Sequence, residues 1–187
     1  MFPVKDDIPT DRVPIVTMAL IAANVVVLLI ADAGLLLTLV NAGFLWLFGP
    51  SVEDALGRAR FVAFVGASGL IAAGIQLVVD PDASAVVAGS CGAIAAMIGA
   101  YLRLYPWAHM QAIVLAPFFF TIVAIPVMAM IGGWVVVQVG LALLDPADVP
   151  YGALAAGVAI GLLAARRVAT NVKTPDGLLR RGRAVLS

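Results

Sequence analysis

Apolar residues run from Val13 to Pro50 with a single charge, Asp32, in between. As one helix this run would be about 57 Å long, roughly twice the hydrocarbon thickness of a bilayer. It therefore has to fold back, and Asp32-Ala33-Gly34 is the only turn the pattern offers. The resulting spans lie near 13–31 and 35–49, joined by a very short loop. Residues 51–60, SVEDALGRAR, are the first charged cluster and read as a loop or short surface helix. A third span follows at Phe61–Val79 and stops at Asp80-Pro81-Asp82. A fourth runs from Ala88 to Tyr105, and 106–111 is a polar break.

From Ala112 to Leu144 the chain is apolar again, long enough for one span or two. Pro117 and Pro126 make its first part a poor helix. Charge decides the count. With one span here the chain crosses six times, and all eleven Lys and Arg residues fall on the side of the N-terminus. The opposite loops then hold only acids: Asp32, Asp80, Asp82, Asp145 and Asp148. Two spans would put the basic C-terminal tail on the wrong side. The positive-inside rule thus predicts six spans with both termini cytoplasmic. The fifth lies at about 126–144 and the sixth at about 150–165, while 112–125 lies at or dips into the interface. The chain divides into a cytoplasmic tail (1–12), extended at Pro3 and Pro9, a membrane domain (13–167) and a basic cytoplasmic tail (168–187). That last tail reads as a solvated stop-transfer flank.

Composition agrees with this reading. The chain is 63% hydrophobic and 12% charged, where a soluble domain is about half apolar and a quarter charged. The N-terminus has no short apolar core with a small-residue cleavage site, so it does not read as a secretory signal. Zero net charge gives no reason to expect a nucleic-acid partner. One cysteine and one histidine exclude an internal disulfide and argue against a metal centre built from those residues. No cofactor is expected.

Lipid gives helices no hydrophobic drive to associate, so small residues that let backbones approach must supply it. The fourth span has Gly89, Gly92 and Gly99, with Cys91, Ala95 and Gly99 at spacing four. The sixth has Gly157 and Gly161 at the same spacing. These two helices are expected to pack together.

The ordered set of segments resembles the rhomboid family of intramembrane serine proteases, from about residue 3 to 168. The segments are DDIPTDRVPIVTMALIAANVVVLL at the start, FLWLFGPSVEDALGRARF at 44–61 and GSCGAIAAMIGAYLRLYP at 89–106. IPVMAMIGGWVVVQ at 125–138 and VPYGALAAGVAIG at 149–161 complete the set. The resemblance implies an all-α, six-transmembrane-helix bundle, here with a shortened first loop. It also implies a dyad: a serine on the fourth span and a histidine base on the sixth, aided by an asparagine and a histidine on the second.

Position by position, the nucleophile is Cys91, the base position is Leu154, and the second-span histidine position is Leu37. Only the asparagine is kept, as Asn41. A thiol nucleophile needs a base or an electropositive setting, and Leu154 cannot take a proton. His109 lies eighteen residues after Cys91, beyond the far end of the same helix and about 27 Å away by helical rise. Ser90 equally lacks a base, and Asp145 and Asp148 are weak bases for a thiol. The expected reading is a small apolar filler at Cys91, a buried amide at Asn41, an interfacial anchor at Tyr151 and a polar loop residue at His109.

Three functions follow from this departure. The first is a rhomboid-family protein that has lost proteolysis and binds transmembrane segments of other membrane proteins within the lipid bilayer, as inactive relatives do. The second is a working intramembrane endopeptidase with Cys91 as nucleophile and Asn41 in the oxyanion site. The third is a purely structural subunit, for which the shortened loop speaks. The resemblance also implies a bacterial inner membrane.

Overall fold

The computed structural model describes residues 2–6, 8, 10, 13–32, 34–116, 119–144 and 150–173. Six helices and three strands follow in the order β1 (Phe2–Asp6), α1 (Ile15–Ile30), α2 (Leu35–Leu56), α3 (Arg58–Val79), α4 (Ala85–Leu104), β2 (His109–Ala116), β3 (Phe119–Pro126), α5 (Val127–Leu144) and α6 (Tyr151–Val168). Four of them, α2, α3, α4 and α6, are long and apolar enough to cross a bilayer, and α1 and the first part of α5 are shorter apolar helices.

The tight return between α1 and α2 falls where the charge pattern placed it. Asp32 and Gly34 both take positive φ, 51° and 84°, a region open to glycine and tolerated by aspartate. Neither the loop nor the short surface helix expected at 51–60 forms, since 51–56 are helical and buried. Instead α2 continues through Pro50 to Leu56, and the break is Gly57 alone, at φ 81°. Charges are tolerated in this buried turn because each has a partner. The Glu53 carboxylate accepts from the backbone N–H groups of Val16 (3.2 Å) and Thr17 (2.7 Å) and from the Thr17 hydroxyl (2.8 Å). It thereby satisfies donors that α1 exposes at its own start. Asp54 accepts from Lys173 at 2.8 Å.

The described start of the C-terminal tail, up to Lys173, is tied to α2; residues 174–187 of the expected solvated tail lie outside the described residues. The N–H groups of Thr170 and Asn171 both donate to the Ala55 carbonyl, at 2.8 and 2.9 Å. The Thr170 hydroxyl reaches the Ala55 and Leu56 carbonyls at 3.3 Å each. These are carbonyls that the end of α2 leaves without helical partners. The exit of α6 is thus a cap for α2.

Helix α4 is the centre of the bundle, almost wholly buried from Cys91 to Leu104 apart from Ala93, Leu102 and Arg103. Its outer half anchors an aromatic series: Phe48 meets Tyr101 edge-on at 4.9 Å, Tyr101 meets Tyr105 at 5.4 Å, and Tyr105 meets Trp107 at 6.2 Å. Against α6 the approach is backbone to backbone. A Cβ on Gly157 would strike the Gly92 carbonyl, and one on Gly161 the Ala96 carbonyl. One on Gly99 would strike the Val158 carbonyl. The expected α4–α6 packing is therefore present. A Cβ on Gly89 would sit 3.4 Å from the Gly69 carbonyl of α3, an ordinary contact.

His109–Ala116 and Phe119–Pro126, for most of which no regular structure was expected, pair as an antiparallel hairpin. Its first strand also pairs with β1, so the sheet order is β1-β2-β3. The extended N-terminus is as the prolines suggested. The run Ala112–Pro126 is rich in β-branched and aromatic residues, and Pro117 and Pro126 keep it from continuing as helix. The sheet extends from the end of the bundle that also carries the start of α1, the α2–α3 turn and the exit of α6. Exposed Arg58, Arg60, Arg103, Arg166 and Arg167 lie at this end. Exposed Asp32, Asp80 and Asp82 mark the other. Asp145 and Asp148 fall outside the described residues.

Candidate functional site

Toward the acidic end, α2, α3, α4 and α6 converge. Asn41 on α2 and Cys91 on α4 are 5% and 4% exposed, too buried for either to meet solvent directly. The Asn41 amide donates to the Cys91 sulfur at 3.8 Å, a long contact of the kind sulfur accepts weakly. The first turn of α6 closes the site. A Cβ on Gly92 would strike the Ala72 side chain of α3 and lie 3.2 Å from the Ala153 carbonyl, so the small residue after Cys91 admits α3 first and the α6 turn beside it.

Leu154 is half-buried in the same turn of α6. Leu37 is half-buried on α2, one helical turn before Asn41. Ser90 is half-buried beside Cys91. His109 begins β2 and is exposed at the opposite end of α4 from Cys91. Of the sequence-derived candidates, then, the fold brings together Asn41, Cys91 and the Leu154 turn, and keeps His109 away. Tyr151, also half-buried, has its hydroxyl oxygen enclosed without a hydrogen-bond partner among the described residues.

One residue at this end was not anticipated. Gln76, buried near the end of α3, accepts from the Ala153 N–H at 3.1 Å through Oε1. Ala153 N–H is among the donors that the start of α6 leaves open, and Pro150 before it supplies no side-chain cap. A net contribution of about 1 kcal/mol is typical for such a bond. Gln76 thereby fixes the turn that holds Leu154. Its signal in the sequence was a lone amide within an otherwise apolar third span.

Chemically the site has a thiol, one amide donor and no proton acceptor from the base position. Among the described residues no group of three or more His, Cys, Asp or Glu could hold a metal. The arrangement can position a polar group against Asn41, and the alkyl side chain of Leu154 accepts no proton.

The Rhomboid domain family model matches residues 23–170. The chain belongs to the rhomboid family. With several long apolar helices it is a multi-pass integral membrane protein. No curated protein and no solved structure matches it. The matched region begins within α1 and ends at Thr170, the residue that caps α2, so the rhomboid domain takes in the whole α2–α6 bundle.

The seam between α2 and α5 differs from the close α4–α6 contact. Its described contact is an edge-on ring pair, Phe44 against Trp134 at 5.3 Å. A Cβ on Gly43 of α2, or on Gly132 or Gly133 of α5, would meet nothing within 4 Å. The described part of α5 buries only Val127 and Ile131, near its start.

Proposed function

We propose that this rhomboid is a pseudoprotease that holds transmembrane segments of other membrane proteins. The observation that carries the reading is Leu154, an alkyl side chain at the base position in an otherwise preserved α4–α6 contact. Gly43, Gly132 and Gly133, exposed and near Phe44 and Trp134 in sequence, leave room for a Cβ and support the choice of ligand, since a client helix gains affinity in lipid by close backbone approach. A working thiol endopeptidase is the second reading, favoured by the Asn41–Cys91 contact.

Purified protein in liposomes with a panel of single-span substrates separates the two. The expected result is no cleavage product, together with photo-crosslinking of client spans to a probe at position 133. Cleavage that disappears in Cys91→Ala would overturn the pseudoprotease reading. Absence of both cleavage and crosslinks would leave a structural subunit.

The bundle is read as lying in a bacterial inner membrane with both termini cytoplasmic, because basic residues collect at the end where the described N-terminal and C-terminal segments meet. A cysteine at position 172, in a Cys91→Ala background, is expected to react with an impermeant reagent from the cytoplasmic side. Reaction only from outside reverses the orientation.

A further inference from the structure

We propose that the outer part of the β2–β3 hairpin is a membrane-docking element, seated at the headgroup–acyl boundary of the leaflet that borders the basic end of the bundle. The proposal is independent of client binding. It starts from register. Met110 pairs with Ile125, Ala112 with Val123, Val114 with Thr121 and Ala116 with Phe119. Strand alternation puts these four pairs on one face, and the pairs at 109, 111, 113 and 115 on the other. The first face begins against the bundle, with Met110 buried and Ile125 half-buried. The second begins exposed, with His109, Gln111, Ala124 and Pro126.

Farther out this division ends. Positions 113–116 and 119–122 hold one polar residue, Thr121, so both faces of the outer hairpin are apolar in composition. Each strand has eight residues and so extends about 27 Å. An apolar strand of this length with an open edge is an aggregation hazard in water. β3 is such an edge, since the sheet order ends with it. Hydrocarbon is equally excluded, because an open edge leaves backbone N–H and C=O groups unpaired in lipid. The boundary region satisfies both demands: acyl chains for the side chains and hydrated headgroups for the edge.

Two observations identify lipid as the occupant. The hairpin is continuous with the bilayer-facing surface of the bundle: β3 passes directly into α5, whose Met128 is 54% exposed one residue after buried Val127. Charge is also complementary. Arg103 sits in the last turn of α4, immediately before the hairpin. Arg58, Arg60, Arg166 and Arg167 are exposed at the same end. Basic groups at that plane attract anionic headgroups.

The test uses the full chain in a Cys91→Ala background, with a nitroxide on a cysteine at 115, 120 or 111. The protein is reconstituted in vesicles of phosphatidylethanolamine and phosphatidylglycerol. At 115 and 120, collisions with oxygen should exceed those with a water-soluble nickel chelate, at a depth of about 5–10 Å. At 111 the order should reverse. Phe120→Asp should move the label at 115 into water. If that variant does not fold, the label at 115 with Phe120 intact still decides the question. Labels at 115 and 120 as open to the chelate as 111 would overturn the proposal. So would dipolar broadening between copies that survives dilution with lipid, which would make a second copy the occupant.

Discussion

Gly161→Ala is expected to cost this bundle more than about 3 kcal/mol, at or beyond the upper end of ordinary overpacking. The added methyl meets backbone, which cannot rotate away. The Ala96 carbonyl lies in its place, with the Ala100 nitrogen at 2.6 Å and the Gly99 carbonyl carbon at 2.9 Å. The two helices would have to separate along the line that also joins Gly157 to Gly92 and Gly99 to Val158. In lipid no hydrophobic gain offsets that separation. Gly66→Ala supplies the control, because a Cβ there meets nothing within 4 Å. The same chemical change on α3 should be neutral or stabilising by up to about 1 kcal/mol, through helix propensity. Unfolding of both variants in bicelles measures the difference. Equal effects would mean that the α4–α6 approach does not limit stability.

That glycine pairing was legible in the sequence because spacing four on two spans is a local pattern with one structural meaning in a membrane. The hairpin was not legible. Residues 112–125 are apolar enough for a span and too proline-interrupted for a helix, and periodicity does not separate an apolar strand from an apolar helix over eight residues. What decides it is a non-local partner, the N-terminal strand that pairs with 110–113. The continuation of α2 past Pro50 was hidden for a related reason. Glu53 and Asp54 look like loop residues until the N-terminus of α1 and Lys173 are brought to them.

The site shows the same division. Motif alignment located Cys91, Asn41 and Leu154, and the fold places Asn41 against Cys91 with the α6 turn alongside. Gln76 carried no motif. Its role exists only because α3 ends beside the start of α6, where a backbone donor is open. A polar residue inside a span therefore pointed to a structural partner, whereas the motif residues gathered around Cys91 with Leu154 in the adjoining turn.

Lys173→Met is the second substitution expected to act strongly, although it lies near the end of the described chain and far from Cys91. Lys173 and Asp54 are 8% and 3% exposed, with nitrogen and oxygen 2.8 Å apart. A surface pair is worth under about 1 kcal/mol. Removing one member of such a buried pair takes away the closest counter-charge and typically costs about 3–5 kcal/mol. The loss reaches α6, because Thr170 and Asn171, immediately upstream, hold the exit of that helix to the Ala55 carbonyl. Asp54→Asn with Lys173→Met removes both charges and should be less damaging than the sum of the single changes, with a coupling of about 1–3 kcal/mol. Unfolding free energies of the four proteins give that coupling directly. Additive losses of a few tenths of a kcal/mol would make the contact a surface pair. A large coupling would identify the flank after α6 as an anchor, setting how far along α4 that helix, and with it the Leu154 turn, can slide.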